Sequence, residues 1–218
     1  MCGKIPTYII GTGGLGRGLL EIIKLKVNHE ANWEIAGFID DNESLIGKEI
    51  NGIKVLGHTK VLKDVSRFSN VIIAVASPFA KQEIYHSIKE NHNLFFPNLV
   101  HPNVFMSETL NIGIGNIISA NVVFSANVNV GSFNLIHFNS TIGHDVKIGD
   151  FNSVYPGCNI SGYATLNNSI VIGTNTAILP NVTLEKNVIV GAGAVVTKDI
   201  KANSKVVGVP AKKLGGNL

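Results

Sequence analysis

Residues Ile136–Ile160 read IHFNSTIGHDVKIGDFNSVYPGCNI, and an aliphatic residue returns every six positions: Ile136, Ile142, Ile148, Val154, Ile160. The same beat enters from Ile112, Ile118, Phe124 and Val130 and leaves through Leu166, Ile172, Ile178, Leu184, Val190 and Val196. Val100 and Met106 extend it backwards. The position two residues earlier is small or aliphatic at Val122, Val128, Val146, Cys158, Ala164, Val182, Val188 and Ala194. A strict period of six is not a helix pattern, which drifts at 3.6 residues per turn. It fits a solenoid in which each hexad forms one flat face and three hexads close a triangular coil. The aliphatic residues then point inward and stack on equivalents eighteen residues away, with coils about 4.8 Å apart. Glycine follows the repeat residue at Gly113, Gly131, Gly143, Gly149, Gly173 and Gly191 and is expected to let the chain turn each corner. "YATLNN" (Tyr163–Asn168) lacks the Ile-Gly step, so a locally irregular corner without an inserted loop is expected there.

The first half follows a different pattern. Thr7–Ile10 reads as a strand, then the turn "GTGGLG" (Gly11–Gly16), then an apolar-periodic helix from about Leu15 to Val27. A second strand, Trp33–Ile39, ends on Asp40-Asp41-Asn42. A third, near Val71–Val75, precedes Pro78 and a helix to Glu90. Strands alternating with helices imply a small Rossmann-like parallel sheet of the doubly wound type. Two domains are expected, residues 1–98 and 99–218.

Composition narrows the function classes. Charged residues are 15% and the net charge is +3, without a basic block, which argues against nucleic acid. The basic excess gathers near the C-terminus at Lys198, Lys201, Lys205, Lys212 and Lys213, which suggests a local anion site. The two cysteines, Cys2 and Cys158, have no metal-like spacing, and no metal is expected. Met1–Pro6 lack the apolar core of a signal peptide, and no stretch approaches a membrane span, so a reduced, cytoplasmic protein is expected.

The hexads over about Val100–Thr197, with the ending "VVGVPAKKL" (Val206–Leu214), resemble the left-handed parallel β-helix of hexapeptide-repeat acyltransferases. Adding "IIGTGGLGRGLLEII", "GFIDDN" and "IGHD" in that order, the chain resembles one branch of them. That branch holds the sialic acid O-acetyltransferases and the N-acetyltransferases of bacterial nucleotide-linked amino sugars, including the bacillosamine-pathway enzyme. The resemblance implies acetyl-CoA as co-substrate, a nucleotide-sugar acceptor and a homotrimer with clefts built from two subunits.

His144 is the first candidate for chemistry. Its equivalents one coil away are Ala126 and Gly162, small residues that leave an imidazole accessible. An imidazole titrating near neutrality suits a general base, which the resemblance assigns to the histidine of this "GHD" motif. The alternative is a solvated corner histidine. Asp145 would orient the imidazole, although neighbouring side chains of an extended segment point apart and the contact needs a corner. His137, one face earlier, either contacts the acetyl group or acceptor or caps its corner. The branch has asparagine there, and histidine where this chain has Ser153. Cys158 reads as core packing.

"GTGGLG" followed by Asp40 has the form of a dinucleotide fingerprint, whose physics is an anion received by amides at a helix start. The resemblance assigns Gly13, Gly14, Asp40 and Asp41 to the nucleotide end of the acceptor. Lys81 stands where relatives carry arginine, and Leu15 where many carry histidine. For acetyl-CoA it implies Gly162, Thr174, Ala192 and Lys212, the last attracting phosphate beside Lys213. The expected activity is direct acetyl transfer to the amine of a nucleotide-linked sugar. The alternatives are transfer to a hydroxyl of sialic acid or a related sugar, a non-catalytic sugar-nucleotide scaffold, and a nicotinamide oxidoreductase built on the glycine turn.

Overall fold

The computed structural model describes residues 3–29 and 32–214; Cys2 lies outside them. The chain divides into two units, residues 1–99 and 100–218.

The first unit carries β1 (Ile5–Ile10), α1 (Gly14–His29), β2 (Trp33–Ile39), β3 (Glu49–Ile50), β4 (Ile53–Gly57), β5 (Ser69–Ile73), α2 (Pro78–Ile88) and β6 (Leu94–Phe95). The sheet order is β3-β4-β2-β1-β5-β6, with β1 parallel to both β2 and β5. Ile9, Ile10, Phe38, Ile39, Val71 and Ile72 of the central strands are buried, as are Leu19, Leu20 and Ile23 of α1. Ser77 caps α2 by accepting from the Ala80 amide, and Pro78 fits the first turn, where no amide bond is lost. This turn into α2 is why β5 ends at Ile73, two residues before the expected strand end at Val75. The β3–β4 hairpin is an unexpected element. Its Asn51-Gly52 turn holds φ of 51° and 77°, the left-handed pair favoured in tight hairpins.

The second unit is a left-handed parallel β-helix of two-residue strands in three sheets. Its register is eighteen residues throughout the regular coils: Phe124 pairs with Ile142, Ile142 with Ile160, and Ile160 with Ile178. Leu166 keeps that register between Ile148 and Leu184, so the expected irregular corner at Leu166-Asn167 is regular. The inward series fills the prism, with Ile118, Phe124, Ile136, Val154, Ile172 and Val196 fully buried. In the last coil the spacing falls to sixteen residues, Val190 pairing with Val206 and Leu184 bridging Ile200. The tail then turns back antiparallel, Val206 opposite Lys213.

The corners correct one expectation. The glycines after the repeat residue do not supply a left-handed turn. They are small because the next coil is close: a Cβ on Gly173 would lie 2.5 Å from the Ala192 amide nitrogen, and one on Gly131 2.7 Å from the Gly149 oxygen. The left-handed residue comes two positions later, once per hexad. Asn fills it at 121, 127, 139, 175, 181 and 187, glycine at 115, 157 and 193, and Phe133, Asp145, Phe151, Tyr163 and Ser169 elsewhere. Asparagine tolerates this conformation better than other residues with a Cβ.

Buried polar groups also stack coil on coil. Asn134 accepts the Asn152 amide at 2.8 Å and donates to Asn116 Oδ1 at 3.0 Å, while Asn152 accepts the Ile170 amide at 2.7 Å. All three asparagines are buried. Replacing Asn134 with Leu would leave the Asn152 amide without its acceptor inside the fold. Asn134→Leu is therefore expected to cost about 1–3 kcal/mol, read as a lower denaturant midpoint than the parent protein.

Candidate functional site

Two regions gather the candidate residues, one in each unit. In the β-helix, His144 and Asp145 stand on the corner between the strands Thr141–Ile142 and Lys147–Ile148. Asp145 is the left-handed residue of that corner, φ 58°, and this swings its side chain back toward its neighbour. The contact that an extended segment would forbid therefore forms: His144 Nδ1 lies 2.9 Å from Asp145 Oδ2. The neutral ring then carries its hydrogen on Nδ1 and leaves Nε2 as the basic nitrogen.

Asp145 is held from its own coil and the one before. Asn127, one coil earlier, donates to Oδ1 at 3.2 Å, and the Asp145 amide bonds to the Ala126 oxygen. The bond from His144, then that from Asn127, keep the carboxyl below the usual carboxylate range against a smaller opposing effect of desolvation. Gly162, one coil later, forms the floor. A Cβ there would lie 2.7 Å from both Cε1 and Nε2 of His144, so the imidazole rests directly on glycine backbone. Asn127 and Tyr163 escaped the sequence reading, yet both lie eighteen residues from Asp145, and that offset is the signal that finds them.

His137 occupies a different corner, between Leu135–Ile136 and Thr141–Ile142. Its Nδ1 accepts from the Phe138 amide at 3.1 Å, with the Ser119 hydroxyl 3.4 Å away. The neutral ring thus carries its hydrogen on Nε2, and burial lowers its pKa. Thr174 and Ala192 are exposed on this same ridge, thirty-six and fifty-four residues beyond Phe138, whereas Gly162 is on the ridge of His144. One chain therefore separates the residues read for acetyl-CoA onto two edges of the prism. Lys212 is exposed on the returning tail. Cys158 is buried, its thiol donates to the Gly173 oxygen at 3.1 Å, and burial pushes the thiol pKa up, as core packing requires.

In the α/β unit the glycine turn is anchored by Asp40. Its Oδ2 accepts from the Thr12 amide at 2.9 Å and hydroxyl at 2.6 Å, and its Oδ1 from the Asn42 amide at 3.0 Å. Asp41 accepts from the Thr59 amide and hydroxyl, beside a cavity of about 340 Å³ lined by Asp41, His58, Thr59, Lys60, Lys63 and Ser87. Gly13 and Gly14 face open space at the start of α1, whose first turn has no acidic residue to compete with an anion. Gly11 and Gly16 are the tight positions, Gly11 at φ 103° and a Cβ on Gly16 colliding with the Gly11 oxygen. Lys81, in α2, is 2% exposed, and desolvation lowers its pKa to about 7.

Among the described residues no cluster of His, Cys, Asp and Glu could hold a metal ion, and no helix is long and apolar enough to cross a membrane.

Comparison with known proteins follows this division. Residues 7–88 match the model of the PglD N-terminal domain. No curated protein sequence matches the chain at a significant level. The acetyltransferase domain of PglB from Neisseria gonorrhoeae, solved with acetyl coenzyme A, is 26% identical with a TM-score of 0.84, over 97% of this chain and 100% of that one. PerB from Caulobacter crescentus, solved with CoA and GDP-perosamine, is 23% identical with a TM-score of 0.86, over 99% of both chains. WeeI from Acinetobacter baumannii is 24% identical with a TM-score of 0.86, over 97% and 100%. Across both units the chain is similar to hexapeptide-repeat sugar N-acetyltransferases.

The Asp40 bonds make the first unit sensitive to acid. Burial alone would raise this carboxyl, but the hydrogen bonds from Thr12 and Asn42 outweigh it and hold the pKa below the usual range. A depressed carboxylate stabilises fully above its unfolded pKa, about 3.9, and loses that contribution as pH falls through the folded value. Asp40→Asn is expected to melt below the parent protein at neutral pH, and the gap is expected to close below about pH 4, measured by thermal denaturation across pH.

Proposed function

We propose that this chain is an acetyl-CoA-dependent N-acetyltransferase acting on a nucleotide-linked amino sugar, with His144 as general base. The observation that carries the reading is the His144–Asp145 pair on a rigid corner, with Nε2 uncommitted and only glycine beneath it. The binding of acetyl coenzyme A by the PglB acetyltransferase domain supports the co-substrate. In the reaction the neutral amine attacks the thioester carbonyl carbon as His144 Nε2 takes its proton. The new C–N bond forms, and backbone amides are well suited to stabilise the oxyanion. The tetrahedral intermediate collapses with loss of the C–S bond, and the imidazolium returns its proton to the departing thiolate. Asp145 fixes the tautomer and stabilises the imidazolium throughout. No acyl-enzyme is required.

Acceptor binding falls to the α/β unit in this reading. Gly13, Gly14 and the α1 amides would receive the diphosphate, and Asp40 and Asp41 would shape the nucleoside end through the loops they hold. Acetyl-CoA would use Gly162 near the base, Thr174 and Ala192 on the other ridge, and Lys212 for a phosphate. His144 and the ridge of His137, Thr174 and Ala192 are separate edges of one prism, so a neighbouring copy would complete the cleft. That geometry supports the homotrimer implied by the resemblance. Both co-substrates are cytoplasmic metabolites, which supports action in the cytoplasm.

His144→Ala is expected to reduce kcat about 10²–10⁴-fold without loss of folding. The acceptor is to be identified by mass spectrometry after incubation of acetyl-CoA with UDP-, GDP-, CMP- and TDP-linked amino sugars and with sialic acid. Product on sialic acid alone would replace amine by hydroxyl transfer, and full turnover by the alanine variant would refute the base.

The lysine buried in α2 yields a separate expectation. A diphosphate brought against Lys81 would restore its charged form, so binding at pH 8 would take up a proton. Calorimetric titration of the protein with UDP or GDP in buffers of different ionisation heat is expected to show buffer-dependent enthalpy, abolished in Lys81→Met. Buffer-independent heats accompanying binding would remove Lys81 from the phosphate site.

A further inference from the structure

We propose that Tyr163 is a positioning residue for the His144–Asp145 pair, walling the imidazole that rests on Gly162. The inference rests on the reading of His144 as general base. Tyr163 fills a left-handed corner slot, φ 60°, that asparagine or glycine fills at most other corners. This conformation costs a residue bearing a Cβ roughly 1–2 kcal/mol, and for a bulky side chain it is a genuine outlier. Phe133 and Phe151 share the conformation, but both are buried and stack with centroids 5.1 Å apart, so packing offsets their cost. Tyr163 is not buried in this way: the residue is 57% exposed.

What it touches is the candidate site. Its ring meets the His144 ring at right angles, interplanar angle 86° and centroids 5.0 Å apart. Its amide donates to the His144 oxygen at 3.0 Å, tying the two corners together. The Tyr163 side chain is the last and smallest of the influences that keep the Asp145 carboxyl low, behind His144 and Asn127. The imidazole is thus held by a carboxylate at Nδ1, a glycine floor and a perpendicular aromatic wall. The ionisable groups in contact with it are Asp145 on its own corner and Tyr163 from the next coil; the preceding coil offers neutral Ala126 and Asn127. An unconstrained, half-exposed histidine would sample several rotamers, only some of which aim Nε2 at an acceptor.

Two variants test the proposal. Glycine suits the corner conformation, so Tyr163→Gly removes wall and hydroxyl without strain; Tyr163→Phe keeps the wall and removes the hydroxyl. The rotamer of the His144 imidazole is followed by NMR, which needs no acceptor, and turnover by release of CoA with GDP-perosamine and its UDP counterpart. Tyr163→Phe, which keeps the wall, is expected to hold the His144 ring in the parent rotamer and to leave kcat within about twofold of the parent. In Tyr163→Gly the His144 ring is expected to populate more than one rotamer and kcat to fall about tenfold or more, with KM for acetyl-CoA changed by less than about twofold and no loss of thermal stability. An unchanged His144 rotamer in Tyr163→Gly overturns the proposal, whatever turnover does. Full turnover by His144→Ala would instead overturn the reading beneath it.

Discussion

The stacking of each residue on its equivalent eighteen positions away governs everything in the second unit. Backbone amides of one coil bond to carbonyls of the coils on either side: Gly143 to Ile160 of the next, Asp145 to Ala126 and Tyr163 to His144 of the one before. Each rung fixes a side chain relative to those above and below within a spacing of about 4.8 Å. Nothing at a corner can therefore be changed in isolation. Gly162 is small because His144 lies on it, and Asn127 points usefully because Asp145 follows it in the stack. The chemistry of the candidate site is an outcome of that vertical register.

The register was readable because it is written in inward aliphatic residues, whose burial is insensitive to detail. From Ile112 to Val196 each marks a strand that the structure contains. The corners were less legible. Glycine after the aliphatic residue looked like a turn residue, but its smallness answers to the neighbouring coil, a contact remote in sequence. The left-handed residue two places on hides among asparagines that also read as ordinary polar surface. The His144–Asp145 bond belongs to the same class, since only the φ of Asp145 turns two adjacent side chains toward each other.

In the α/β unit the long apolar strands and helices were visible, and the short hairpin at Asn51-Gly52 was missed despite a strong turn signal. Its strands are only two and five residues long, too short for alternation to register. The roles of Asp40 and Asp41 were partly legible. Sequence places them at the end of β2, where ligands meet such sheets. Only the structure reveals that both carboxylates are also structural, one holding the glycine turn through Thr12 and the other the segment at Thr59. A substitution at either would disturb the shape of the loop it holds.

The tail that turns back on the last coil has a consequence for solubility. A parallel β-helix ends in rows of unpaired amides and carbonyls, an open template on which another chain could extend the stack. Here the shortened final coil and the antiparallel strand Lys212–Lys213 occupy one of those three rows and finish it with two adjacent lysines. Reversed direction spoils the parallel pairing that a second solenoid would need, and like charges repel a copy of the same edge. The strand thus closes one of the three rows against filament growth.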